Sequence, residues 1–140
     1  MTLHRFERSV AVANEGDTVQ SAAAKLHAES VGCIVVTRGR KPVAILTDRD
    51  LALRVVAEGK NPCVTLVRDV STYGPFTIDS KCEPNTAASL MQRHGVRRLP
   101  IVDGNGDLVG IVSADDLLIL YSAGLFALGQ GVAANSELGE

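Results

Sequence analysis

The chain has no tryptophan, two tyrosines, three phenylalanines, three cysteines, and almost no excess of one charge over the other. So few aromatic rings leave little on which nucleic-acid bases would stack. A formal net charge of −2, with basic residues gathered only in short pieces such as Arg38 to Lys41, lacks the cationic face that binding a phosphate backbone requires. Nucleic acid is therefore not expected as a partner. Cys33, Cys63 and Cys82 are odd in number and widely separated, which fits neither a disulfide framework nor a zinc site and points to buried reduced thiols. Met1 to Ser9 mixes His4, Arg5, Glu7 and Arg8 with few apolar residues, unlike a secretory signal. No run reads as long enough to span a bilayer, so the expectation is a cytoplasmic protein with no membrane partner.

Catalytic equipment is missing as well. His4, His27 and His94 lie in unlike contexts, no Gly-x-Ser-x-Gly or phosphate-loop pattern occurs, and Asp115 and Asp116 are adjacent where a helix starts, which capping explains. The expectation is a protein without catalysis, cofactor or metal.

What is present is a repeat. With 46% apolar and 21% charged residues the 140-residue chain has a globular balance. Val43 to Leu51 aligns with Val109 to Leu117, 66 residues on, and Ala22 to Val31 aligns with Ala87 to Val96, 65 residues on. The one-residue difference falls in the turns Arg38 to Pro42 and Asp103 to Asp107, where an insertion disturbs least.

Each copy reads as strand, helix, strand, strand, helix. In the second, Phe76 to Ile78 is extended and a helix starts at Glu83-Pro84, with apolar positions Ala87, Leu90 and Met91 before Gly95 stops it. Leu99 to Val102 and Leu108 to Val112 then flank a glycine-rich turn as a β-hairpin, and a further helix begins at Asp115. The first copy predicts strands at Val10 to Val12, Cys33 to Thr37 and Val43 to Leu46, with helices at Val19 to Ser30 and Arg49 to Ala57. A unit of about fifty residues buries too little surface to stand alone, so the two are expected to pack sheet against sheet as one α/β (α+β type) domain. The expected boundaries are 8–66 and 67–124, with a helix end and polar tail over 125–140.

The βαββα order, the run Gly95 to Asp103, the strand Leu108 to Ser113 leading into Asp115-Asp116-Leu117, and the linker Val67 to Ser71 resemble a tandem cystathionine-β-synthase (CBS) domain pair. The resemblance implies two CBS modules related by a pseudo-twofold axis in a CBS-pair (Bateman) domain, two clefts between the sheets, and a homodimer. It also implies an adenosine-containing regulatory ligand: AMP, ADP or ATP, or alternatively S-adenosylmethionine or an NAD-type molecule. A ligand-free dimerisation scaffold is the other reading. Because the repeats occupy nearly the whole chain and Ala133 to Glu140 is short and polar, output is expected to pass to an unidentified effector protein.

Thr47 with Asp50, and Ser113 with Asp116, each place a hydroxyl three residues before a carboxylate where a strand meets a helix. Such a pattern is a helix capping box, and equally a cradle for ribose hydroxyls; the resemblance implies the ribose role. Arg97 and Arg98 are neighbours on a strand, so one is expected to look into a given part of a cleft while the other lines its edge, and an arginine there offers a forked contact to phosphate. The corresponding Gly32 and Cys33 are uncharged. The cleft combining Thr47 and Asp50 with Arg97 and Arg98 is thus expected to be the better equipped, the other to lack a phosphate clamp. Arg49 and Arg93 are assisting candidates. Ala44, standing where the second copy has Gly110, is expected to crowd a base near the strand. The adenine neighbourhood is placed at Val12 and Ala13 or at Thr77 and Ile78.

Overall fold

Alternating apolar runs and well-signalled helix ends fold the two copies into the same order of elements in a computed structural model, which describes residues 1–139. The first copy comprises β1 (Val12–Ala13), α1 (Val19–Glu29), β2 (Cys33–Arg38), β3 (Lys41–Thr47) and α2 (Asp48–Leu51), which widens into a π turn over Ala52–Val56. A connector holds α3 (Val67–Val70) and β4 (Thr72–Tyr73). The second copy comprises β5 (Ile78–Asp79), α4 (Pro84–His94), β6 (Arg98–Val102), β7 (Leu108–Ser113) and α5 (Ala114–Gly139). The architecture is therefore mixed α/β, with two βαββα units.

In each unit the first strand runs parallel to the second, and the second and third form an antiparallel hairpin. Irregularities fall at equivalent places, Val36/Thr37 and Ile101/Val102. Helix ends are equivalent too: α1 closes on Ser30 and α4 on Gly95, both in the left-handed conformation. Ile34 and Val36 face one core with Val19, Leu26 and Leu46; Leu99 and Ile101 face the other with Ala87 and Met91. Val35 and Pro100, on the opposite strand faces, are also fully buried. Both central strands are covered on two sides, which explains why they read as unbroken apolar runs.

The segments that lead into each unit cross to the other. β4 pairs with β3, while Glu7 bridges to Gly110 in β7. The Gly74 amide donates to the Val43 carbonyl at 3.2 Å, and the Arg8 amide donates to the Val109 carbonyl at 3.0 Å. Leu3 completes the core of the second unit, and Val67 and Val70 complete that of the first. Residues 67–73, grouped with the second unit on sequence grounds, thus pack into the first. Glycine is required at 110 because a Cβ there would lie 2.4 Å from the Phe6 carbonyl oxygen.

Helix α5 departs most from expectation. It runs for 26 residues, through most of the stretch read as a polar tail; Glu140 lies outside the described residues. Leu118, Ile119, Leu125, Phe126, Leu128 and Val132 are all exposed. By length and composition its 21-residue portion Ala114–Ala134 suffices to cross a membrane, which corrects the expectation that no such run exists. Glycine, alanine and serine dilute its leucines, so the run does not stand out residue by residue.

Replacing Gly110 by alanine should lower stability by about 1–3 kcal/mol, the usual cost of forcing a methyl group into packed backbone, and should loosen the N-terminal segment. Thermal unfolding with limited proteolysis checks this; an unchanged melting midpoint would contradict the close approach.

Candidate functional site

Strand ends from both units meet around two cavities of about 370 Å³ each. The first is bounded by Ile45 and Thr47 to Asp50 from the β3–α2 junction, by Thr72 and Gly74 to Phe76 from the connector, and by Val96 to Arg98 at the start of β6. The second is bounded by Ile111, Ser113, Asp115 and Asp116 from the β7–α5 junction, by Arg8 to Ala11, by Glu29 and Val31 to Cys33, and again by Arg98.

Both hydroxyl–carboxylate pairs are reciprocal capping boxes. Thr47 Oγ1 accepts from the Asp50 amide at 3.2 Å, and Asp50 Oδ2 accepts from the Thr47 amide at 2.9 Å. Ser113 Oγ accepts from the Asp116 amide at 3.0 Å, and Asp116 Oδ2 accepts from the Ser113 amide at 2.9 Å. Capping and ligand contact are compatible here, since the cap occupies one carboxylate oxygen and fixes the direction of the other. Among the described residues Asp50 Oδ1 makes no hydrogen bond, and Arg54 Nε lies 4.0 Å from it. Asp116 is more heavily engaged, because its Oδ2 also accepts from Arg8 Nη2 at 3.4 Å.

Arg97 and Arg98 both border the first cavity, together with Thr47 and Asp50. β6 begins only at Arg98, so Arg97 precedes the regular pleat, and its mostly exposed guanidinium pairs with Asp115 at 3.7 Å. Arg98 reaches across: a Cβ on Gly32 would lie 3.2 Å from its Nη2. The second cavity is consequently not the uncharged one expected. It holds Arg98, because Gly32 leaves room for the guanidinium, and Arg8, which arrives through the pairing of the N-terminal segment with β7.

Other expectations also shift. Arg49 borders the first cavity, whereas Arg93 borders neither. Val12, Ala13, Thr77 and Ile78 border neither of the two cavities: Ala13 and Ile78 turn into the cores, and β1 and β5 each begin two residues later than the sequence predicts. The walls come instead from residues immediately upstream, Ser9 to Ala11 and Gly74 to Phe76. Phe76 is held by stacking on His94, with ring centroids 3.9 Å apart. The sequence does not disclose that wall, because Thr72 to Pro75 reads only as a helix-breaking turn. Ala44 does not border the first cavity; it is fully buried in the first core.

A family model described as "CBS domain" matches this chain twice, over residues 6–57 and 67–123. An uncharacterized protein of Methanopyrus kandleri is 38% identical over 79% of this chain and 57% of its own length. The CBS domain-containing protein YhcV of Bacillus subtilis is 38% identical over 79% of this chain and 77% of its own. The chain thus spans little more than half of the first relative and about three quarters of the second. Among solved structures, a CBS domain protein from Pyrobaculum aerophilum complexed with AMP superposes with a TM-score of 0.74 at 30% identity, covering 82% of this chain and 88% of that one.

Cys33 sits in the wall of the second cavity, and burial pushes its thiol up to about 11, opposed by Arg98 and reinforced by Asp50 and Asp48. It therefore remains a protonated, unreactive thiol through the neutral range. Alkylation of the native protein at pH 8 should label exposed Cys63 and spare Cys33 until the chain is denatured. Peptide mapping decides this; equal labelling of both thiols in the native state would contradict the burial of Cys33.

Proposed function

The chain belongs to the CBS-domain family, and from that footing we propose a regulatory sensor of adenosine nucleotides (AMP, ADP or ATP), acting on a separate effector protein without chemistry of its own. One observation carries the reading: a single cavity of about 370 Å³ is lined by Asp50 with its capped carboxylate, Thr47, the two arginines Arg97 and Arg98, and the apolar wall of Pro75 and Phe76. Each matches one part of a nucleotide. The fixed Asp50 Oδ1 accepts from ribose hydroxyls, the guanidinium fork meets phosphate, and the apolar wall covers the base. The AMP carried by the Pyrobaculum relative supports the ligand class.

The same reading makes the protein a cytoplasmic homodimer joined through α5. Leu118, Tyr121, Leu125, Leu128 and Val132 recur at alternating spacings of three and four, which is the seam of a helix that packs lengthwise on another. All five are exposed in the single chain.

Calorimetry with AMP, ADP, ATP and adenosine tests the nucleotide assignment. Asp50→Ala should weaken AMP and adenosine alike, on the order of tenfold or more for a lost charged hydrogen bond. Normal AMP binding by this variant, with a lowered melting point, would leave Asp50 a helix cap alone; no heat with any of these ligands would favour the scaffold.

Light scattering on the wild type should give the mass of two chains. Leu125→Glu, which places a charge in the seam, should give a monomer or an aggregate. A single-chain mass for the wild type at micromolar concentration would sink the dimer.

A further inference from the structure

Arg98 is the one residue that borders both cavities. It does so because the two copies differ at equivalent strand positions. Cys33 lies opposite Thr47 in the first hairpin as Arg98 lies opposite Ser113 in the second. Where the second copy carries Arg97, the first carries Gly32, and the Arg98 guanidinium lies over that glycine, with Asp48 on the same spot: a Cβ at residue 32 would lie 3.2 Å from Arg98 Nη2 and 3.4 Å from Asp48 Oδ2.

The remaining cations are unevenly available. Arg8, in the second cavity, already donates to Asp116 Oδ2 at 3.4 Å and to the Ile111 carbonyl at 3.2 Å. Arg97, in the first, is paired with Asp115. Among the described residues neither Arg98 nor Arg49, which borders the first cavity alone, makes an ion pair, so Arg98 carries the unpaired charge that can meet an incoming anion from either side. The end-on Nη1/Nη2 fork of a planar guanidinium can be aimed into only one of two cavities at a time, so full bidentate contact with a phosphate in one is lost to the other.

Resting on the nucleotide reading above, we propose that Arg98 is a shared phosphate clamp, so that a phosphate-bearing nucleoside held in one cavity weakens the binding of a second in the other. Linkage makes the penalty reciprocal. Adenosine, lacking the phosphate, escapes it.

The test is titration of the full chain with AMP and with adenosine, by calorimetry and with phosphorus NMR resolving AMP in the two cavities. The ratio between first and second dissociation constants should be on the order of tenfold larger for AMP than for adenosine, the scale of one charged hydrogen bond. Arg98→Ala should bring the two ratios together. Direct repulsion between two bound phosphates would instead grow in that variant, so a gap that persists or widens overturns the proposal. Asp50→Ala, which disables the first cavity, should let the second take AMP severalfold more tightly than it does when the first is filled. Gly32→Ala should push the guanidinium toward the first cavity, costing AMP in the second and sparing it in the first; these two variants keep the test alive if Arg98→Ala fails to fold. AMP filling both cavities with the same ratio as adenosine overturns the shared clamp while leaving the nucleotide reading intact. Absence of binding by either ligand removes both.

Discussion

Everything in this molecule depends on the exchange of leading segments between its two halves. The hydrogen bonds from Arg8 to Val109 and from Gly74 to Val43 attach each segment to the outer strand of the opposite unit. Without them two sheet edges would be bare, and an unpaired edge invites association with other chains. Each core would lose fully buried apolar residues as well, Leu3 on one side and Val67 on the other. Units of this size have no surplus of buried surface to spare. The exchange makes the pair, rather than either copy, the object that folds.

It also builds the cavities. Each is closed on one side by a junction between strand and helix, whose capping box is purely local, and on another by an exchanged segment, whose position is set by pairing across the chain. This difference in origin explains what could be read in advance. The hairpins, the Thr47–Asp50 and Ser113–Asp116 pairs, and the arrest of α4 at Gly95 are each written within a few residues, and their spacing alone discloses them. Arg8, Pro75 and Phe76 enter only through contacts made across a long sequence separation. No periodicity encodes these contacts, so the residues that border the two cavities lie just upstream of Val12, Ala13, Thr77 and Ile78.

Near-symmetry makes the differences between the copies informative. Gly110 and Ala44 occupy equivalent strand positions, yet the glycine answers to the backbone of Phe6 and the alanine to the first core; neither residue is explained by a ligand. At the inner strand ends, Gly32 and Cys33 stand against Arg97 and Arg98, and there the difference acts on the cavities. An arginine at both equivalent positions would bring like charges face to face across the pseudo-axis, whereas a glycine and a buried neutral thiol let one guanidinium reach both sides. A small residue in one copy is thus the condition for a charged residue in the other.

Helix α5 joins this arrangement to the protein's surface. Its first turn carries Asp115, which pairs with Arg97 of the first cavity, and Asp116, which is capped by Ser113 and contacted by Arg8 in the second. Leu117 anchors that turn in the second core, and the exposed apolar residues begin at the next residue, Leu118. The ion pairs that border the cavities and the apolar surface available to a partner therefore lie on one rigid helix, without an intervening loop to absorb displacement. A ligand that draws Arg97 or Arg8 away from these carboxylates alters the hold on the root of the helix. The free energy such a route can deliver is bounded by the ligand's difference in affinity between the two arrangements. Because the contacts at the root are partly exposed ion pairs, which are individually weak, the two arrangements need differ by little, and that is the condition under which a modest ligand preference shifts their populations.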